Sequence, residues 1–206
     1  MTDYLTLRNE ANDEFIERRS RFIGYAKPVT TQEEAMDFIN TIRSKHWDAT
    51  HNVYAYVLRE GHARRYSDDG EPSGTAGVPV LDVLLKENIT DCVVVATRYF
   101  GGVLLGAGGL VRAYSHTSKI AVESAGIIKM SVCSVMSVTC DYTFYGRLPS
   151  LIAEYEGVTE DTEVGENVTV KFYLPVANEP LFSAKLIDSS FGKFNAVKIT
   201  EKYAQM

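Results

Sequence analysis

The stretch CVVVATRYF, residues 92–100, is apolar almost without interruption and runs straight into GGVLLGAGGLVRAY. A strand that does not alternate apolar and polar side chains has both faces covered, so this run predicts a central strand with structure packed on each side. The chain must then turn sharply. Glycines stand at 101, 102, 106, 108 and 109, followed by a helix that ends at Gly126, a residue type suited to the position after a helix C-terminus. Leu110, Ala113, Tyr114, Thr117, Ala121 and Ala125 fall on one face of that helix, and Arg112, His116, Lys119 and Glu123 on the other.

The segments upstream supply partners for such a strand. EFIERRSRFIGYAKPV reads as a strand pair punctuated by Gly24 and Pro28. TQEEAMDFINTIRSKHW reads as a helix: Thr31 and Glu34 have the spacing of a capping box, and Ala35, Phe38, Ile39 and Ile42 form one apolar stripe. HNVYAYVL is a strand, RRYSDDGEPSGTAG a long turn, and VPVLDVLLKEN a helix with Pro79 in its first turn, where a missing N–H costs little.

From Met130 the pattern changes. SVCSVMSVTCDY alternates as a strand, GRLPSLIAEYEG is a short helix, and VTEDTEVGENVTVKFYLPV is a hairpin turning near Gly165 and Glu166. NEPLFSAKLIDSSFG follows as a helix capped by Asn178, and NAVKITEKYA as a last strand. This βαββαβ order is that of a ferredoxin-like split βαβ unit. The chain therefore reads as α+β in two domains, residues 1–128 and 129–206, joined by a short exposed connection at 127–131.

The glycine loop invites two nucleotide readings, and both fail. Gly101 and Gly106 have P-loop spacing, but Ala107 stands where the phosphate-binding lysine belongs. Gly106 and Gly108 open a dinucleotide fingerprint, but its third glycine position is Val111. Two other readings stay open. A glycine loop feeding a helix presents free N–H groups and a positive dipole end to an anion, or it simply allows positive φ and close packing, in which case Gly108→Val damages the fold. Arg98 and Arg112, read as surface charges, favour the anion seat.

Other clusters carry less. Asp68, Asp69 and Glu71 lie in SDDGEPSG, where turn chemistry accounts for them, and no metal site is expected. His51 has no nucleophile elbow near it and reads as structural. No catalytic set and no cofactor are expected. Cys92, Cys133 and Cys140 are widely spaced among apolar neighbours and read as buried thiols of a cytoplasmic protein. The N-terminus is polar and acidic, unlike a secretory signal, and no membrane span is expected. Net charge is −6, with 14 basic against 17 acidic residues up to 128 and 7 against 10 beyond it. Broad capture of DNA or RNA by charge is thereby disfavoured, while a local basic patch is allowed.

SRFIGYA, HNVYAY, DDGEPSGTAG and TRYFGGVLLGAGGLVRAY stand in this order, and with them the chain resembles the YigZ/IMPACT family (UPF0029). The resemblance implies an N-terminal domain of the ribosomal-protein S5 domain 2-like fold and a C-terminal ferredoxin-like domain similar to ones in elongation factor G. It also implies a setting in translational regulation. The eukaryotic relatives that bind an activator of a starvation kinase carry a further RWD domain that is not seen here. The preferred expectation is a non-enzymatic protein that binds RNA or a ribosome-associated partner, with no DNA or membrane partner. Its anion site combines Arg64, Arg65, Arg98 and Arg112 with Gly101, Gly102, Gly106, Gly108 and Gly109. The alternatives are a protein-interaction regulator using Tyr99 and Phe100 as exposed aromatics, and an enzyme acting on a phosphate-bearing ligand.

Overall fold

The computed structural model describes residues 2–206, which divide into two compact units: Tyr4–Ile128, and Lys129–Met206 together with Thr2 and Asp3. The fold is mixed α+β, as the sequence predicts.

The first unit contains β1 (Tyr4–Leu7), β2 (Ala11–Glu17), β3 (Ser20–Pro28), α1 (Gln32–Lys45), β4 (His51–Val57), β5 (Arg64–Ser67), α2 (Gly77–Lys86), β6 (Cys92–Tyr99) and α3 (Ala107–Ala125). Strands β2-β3-β6-β4-β5 form one sheet whose neighbours are all antiparallel. The uninterrupted run of β6 lies at its centre. Val93 and Val95 face one way, into a core with Ile23, Tyr56 and the Ala35, Phe38, Ile39 and Ile42 stripe of α1. Val94 and Ala96 face the other way, into a core with Phe22, Val53, Val80, Leu84, Leu110, Tyr114 and Ala121. Each fully buried large apolar side chain contributes about 1.5–3 kcal/mol, so two such cores are what hold the five strands together.

Local chemistry sets the helix ends. The capping box of α1 is present in full: Thr31 accepts from the Glu34 N–H, and the Glu34 carboxylate accepts from the Thr31 N–H. Helix α2 has no side-chain cap of its own. Instead Asp68, several residues upstream, accepts from the N–H groups of Gly74, Ala76 and Gly77. The segment read as a long turn is therefore a structural clasp, and its first four residues pair with β4 as the edge strand β5.

The second unit contains β7 (Ile127–Cys140), α4 (Tyr142–Tyr145), α5 (Leu148–Glu154), β8 (Val158–Val164), β9 (Val168–Pro175), α6 (Glu179–Ser189) and β10 (Ala196–Gln205). Its antiparallel order β10-β7-β9-β8 is that of the ferredoxin-like fold. Val168, Val170, Phe172 and Leu174 alternate inward from β9 against Leu148, Ile152, Phe182 and Leu186. Two local expectations change. Residues 127–131, where the two units divide after Ile128 and where Ile127 and Lys129 are exposed, are not a free connection but the start of β7, paired with β10 from Met130 onward. Asn178 sits at the N-cap of α6 but does not cap it: its side-chain N–H donates to the Tyr155 carbonyl, 3.0 Å away. Cys92, Cys133 and Cys140 are buried free thiols, and burial pushes that of Cys92 up to about 12. Among the described residues no helix is long and apolar enough to cross a membrane.

Candidate functional site

Strand register builds the site. Arg98 on β6 lies opposite Phe22 on β3 and His51 on β4. It is also two and four residues beyond Ala96 and Val94, so its side chain shares their inward face, the one that α3 covers. Arg98 is consequently 5% exposed, not the surface charge that its position beside a loop suggested. Its Nη1 donates to Glu71 Oε1 at 2.6 Å, and Nη2 reaches Ser20 Oγ at 3.4 Å. The guanidinium lies between two rings, 5.5 Å from the centroid of Phe22 and 5.3 Å from that of Phe100. Its Nε is the one buried side-chain polar atom among the described residues that has no hydrogen-bond partner. Such orphans are rare in native proteins and mark places where a ligand or water completes the set.

Glu71, read from sequence as turn chemistry, is the counter-charge of this arginine. The same Oε1 accepts from the Tyr114 hydroxyl at 2.8 Å, and burial first, then the Glu71 charge, raises the Tyr114 phenol far above its ordinary value, so it remains a donor. Glu71 Oε2 stands 3.8 Å from His51 Nε2. His51 Nδ1 is 2.7 Å from the Asp69 carbonyl, an acceptor only, so Nδ1 carries the proton and Nε2 is left facing the Glu71 carboxylate. Asp69 itself is held by Arg43 and by the Asn52 N–H.

Arg98, Glu71 and His51 form the floor of a cleft of about 380 Å³, walled by Phe100, Leu104, Leu105, Gly106 and Ala107. Its rim is the start of α3. Gly106 is the N-cap, with φ of 72° and no side chain to offer. The first intrahelical bond runs from Leu110 N–H to the Gly106 carbonyl, so the N–H groups of Ala107, Gly108 and Gly109 have no acceptor among the described residues. The Arg112 guanidinium folds back over this turn, with Nη1 3.7 Å from where a Gly108 Cβ would lie.

The glycines divide by role. Gly101 is there for packing: a Cβ would fall 2.0 Å from the Arg19 carbonyl oxygen, and its N–H donates to Ser20 Oγ. Gly102 and Gly106 have positive φ with open space around them. Gly108 and Gly109 have helical backbones, so Gly108→Val is not barred by positive φ as the sequence suggested, while Gly109 is a packing glycine whose Cβ would fall 2.9 Å from that of Leu105. Arg64 and Arg65 do not join Arg98. They pair with Val57 and Tyr56, at the other end of β4 from His51, roughly 15–20 Å away along the strand. The two candidate aromatics also part. Phe100 is half-exposed at the mouth of the cleft. Tyr99 is only partly exposed and points to the opposite sheet face, where its hydroxyl donates to Asp48 and meets His46 Nδ1.

Sequence reasoning missed Glu71, His51, Ser20 and Tyr114, because their meeting depends on sheet register. One signal was available: counting by twos back from Arg98 to Ala96 and Val94 places the guanidinium on a buried face, and a buried arginine needs an acid.

Residues 18–122 match the Impact N-terminal domain, and residues 138–193 match a domain of unknown function, DUF1949. The chain is 38% identical over 191 residues to the IMPACT family member YvyE of Bacillus subtilis (strain 168), covering 92% of this chain and 88% of that one. It is 32% identical over 187 residues to the IMPACT family member YigZ of Escherichia coli (strain K12), covering 89% and 92%. A solved structure described as the crystal structure of an hypothetical protein superposes with a TM-score of 0.61 at 30% identity, covering 98% of this chain and all of the other. The residues that line the cleft lie between 50 and 110, inside the Impact N-terminal match, and with both matched segments and near-full-length relatives in agreement the chain belongs to the IMPACT family.

Proposed function

We propose that this protein binds RNA of the translation apparatus through the cleft at the start of α3, a phosphate seating on the helix N-terminus and a base stacking on Phe100. The observation that carries the reading is the set of three free N–H groups at Ala107, Gly108 and Gly109, with the Phe100 ring exposed at the same rim. A helix N-terminus attracts phosphate by its dipole and its unpaired donors. An exposed aromatic beside it supplies the stacking surface by which single strands are held without sequence preference. Arg98 backs the ring and leaves Nε unspent. With net charge −6 the chain does not attract RNA broadly, so affinity must come from such a local seat. The setting in translation rests on what the family resemblance implies.

Fluorescence anisotropy with a labelled single-stranded RNA tests this. Phe100→Ala is expected to weaken binding roughly tenfold to a hundredfold, the range of one lost base stack. Unchanged affinity in that variant would remove the reading. A second reading has its own observation: Leu104 is 80% exposed, and with Val103 it forms an apolar lip on the cleft that suits a protein partner. A partner captured from cytoplasm that survives ribonuclease and is lost in Leu104→Ser would favour it.

A further inference from the structure

A second hollow, of about 270 Å³, lies on the other flank of α3, lined by Arg18, Arg112 and His116 together with Phe15, Glu17 and Gly109. It shares Leu105 with the cleft, so the two hollows sit on either side of one helical turn. In a chain with an excess of acid, this spot gathers two guanidiniums and an imidazole against one carboxylate. The two guanidinium charges are largely unspent. Arg112 meets no acid among the described residues, and Arg18 Nε has only Glu17, at 3.9 Å with both side chains more than half exposed. His116 stands edge-on to the Phe15 ring, centroids 4.6 Å apart, which fixes the imidazole at the wall.

The hairpin that delivers Arg18 is built against backbone preference. Glu17 pairs with Ser20, leaving Arg18 and Arg19 as a two-residue turn with φ of 45° and 69°. Both central residues of such a turn are left-handed, a conformation that Asn-Gly adopts readily and that side chains with a full Cβ and beyond resist. Two consecutive arginines here hold two guanidiniums at the tip despite that resistance. The tip is also clamped to the glycine loop by the Gly101 backbone packed on Arg19 and by the bond to Ser20 Oγ. The turn that carries Arg18 is thereby fixed beside the hollow that Arg112 also lines.

We infer that this hollow is a second phosphate subsite, in which Arg18 and Arg112 grip the phosphate next along the RNA strand whose first phosphate sits on the α3 N-terminus. The inference rests on the RNA reading above. Guanidiniums suit the role because their forked donors match two phosphate oxygens at once.

The test uses the full chain and a labelled single-stranded RNA, with affinity measured across a salt series. Arg18→Asn with Arg19→Gly, and separately Arg112→Ala, should each weaken binding several-fold and reduce the slope of log affinity against log salt by about 0.7 for the phosphate lost. The hairpin variant should at the same time raise the thermal midpoint, because Asn-Gly relieves the turn. Removing two charges of the second unit by Lys185→Ala with Lys193→Ala should leave the slope unchanged. If Phe100→Ala weakens binding while both arginine variants keep the wild-type slope, the RNA reading stands and the second subsite is wrong. Absence of RNA binding by the wild-type chain overturns both. Displacement of the RNA by an acidic peptide as readily as by an oligonucleotide of equal charge overturns the phosphate assignment in favour of a protein ligand.

Discussion

Every acidic, basic or imidazole side chain that is buried among the described residues belongs to the first unit: His46, Glu71, Asp91 and Arg98. The second unit buries Ser131, Ser134 and Ser190 but no charge, and its ion pairs, Lys198 with Glu179 and Glu201, and Glu160 with Lys171 and Lys202, lie on partly exposed side chains. The difference teaches what each unit is shaped for. Exposed pairs add at most about 1 kcal/mol and ask little of the fold. A buried pair loses several kcal/mol of hydration per ion, and an apolar replacement of the same volume often does as well or better. The first unit thus keeps Arg98 and Glu71 under a cleft where leucine and methionine would hold the core, which fits a floor that positions Phe100 and the loop.

The largest effect expected from this contrast is in Glu71→Ala. It strands Arg98 in the core and should cost about 3–5 kcal/mol in urea unfolding, whereas Glu201→Ala should cost no more than about 1 kcal/mol. Replacing the pair together, as Glu71→Leu with Arg98→Met, should restore most of the loss. If the single and double variants are equally unstable, the pair is not coupled as the geometry has it.

Within the glycine loop the contrast is between neighbours. Gly101→Ala must push the Arg19 backbone aside and should lose about 1–3 kcal/mol. Gly108→Ala makes only an ordinary contact with Arg112 in the first turn of α3 and should be neutral or gain up to about 1 kcal/mol. Thermal midpoints of the two variants decide it, and a destabilised Gly108→Ala would return that glycine to a packing role.

The smallest effect is in pH dependence, where the units differ in window. On the α1 face, His46 is wedged between two phenols. The Tyr99 hydroxyl gives its proton to Asp48, so it accepts from His46 Nδ1, and Tyr25 donates to Nε2. Burial first, then Lys45 and Arg21, lowers the His46 pKa, with Asp48 opposing. Its folded pKa lies below the unfolded one, so its contribution is complete above about pH 6.5 and is lost as pH falls through the folded value. In the second unit, bonds from Lys202 to Glu160 and from Ser134 to Glu179 lower those carboxyls, and their contribution is lost only below about pH 4.3. Thermal midpoints between about pH 2.5 and 8 should show His46→Gln flattening the upper slope and leaving the lower one in place.

Much of this was legible in advance because it depends on neighbours in sequence. The capping box of α1, the central place of β6, the end of α3 at Gly126 and the hairpin between β8 and β9 all follow from periods and turn residues. The edge strand β5 was not legible: RRYS is polar and short, and only pairing with Tyr54–Val57 makes it a strand. The hairpin at Arg18 and Arg19 was hidden for the opposite reason, since its residues are poor choices for the turn they adopt.

The sequence by itself determined the α+β class, the order of the main helices and strands other than β1 and β5, and the glycine loop's failure as a nucleotide motif, because these depend on periodicity and on which residue stands at a given spacing. Only the tertiary structure decided that Arg98 is buried on Glu71, that Arg64 and Arg65 lie elsewhere, and that Arg18 and Arg112 line one hollow. Side chains far apart in the chain become neighbours through strand register and the hairpin clamp on Gly101, and register is a property of the assembled sheet that no local stretch of the chain encodes.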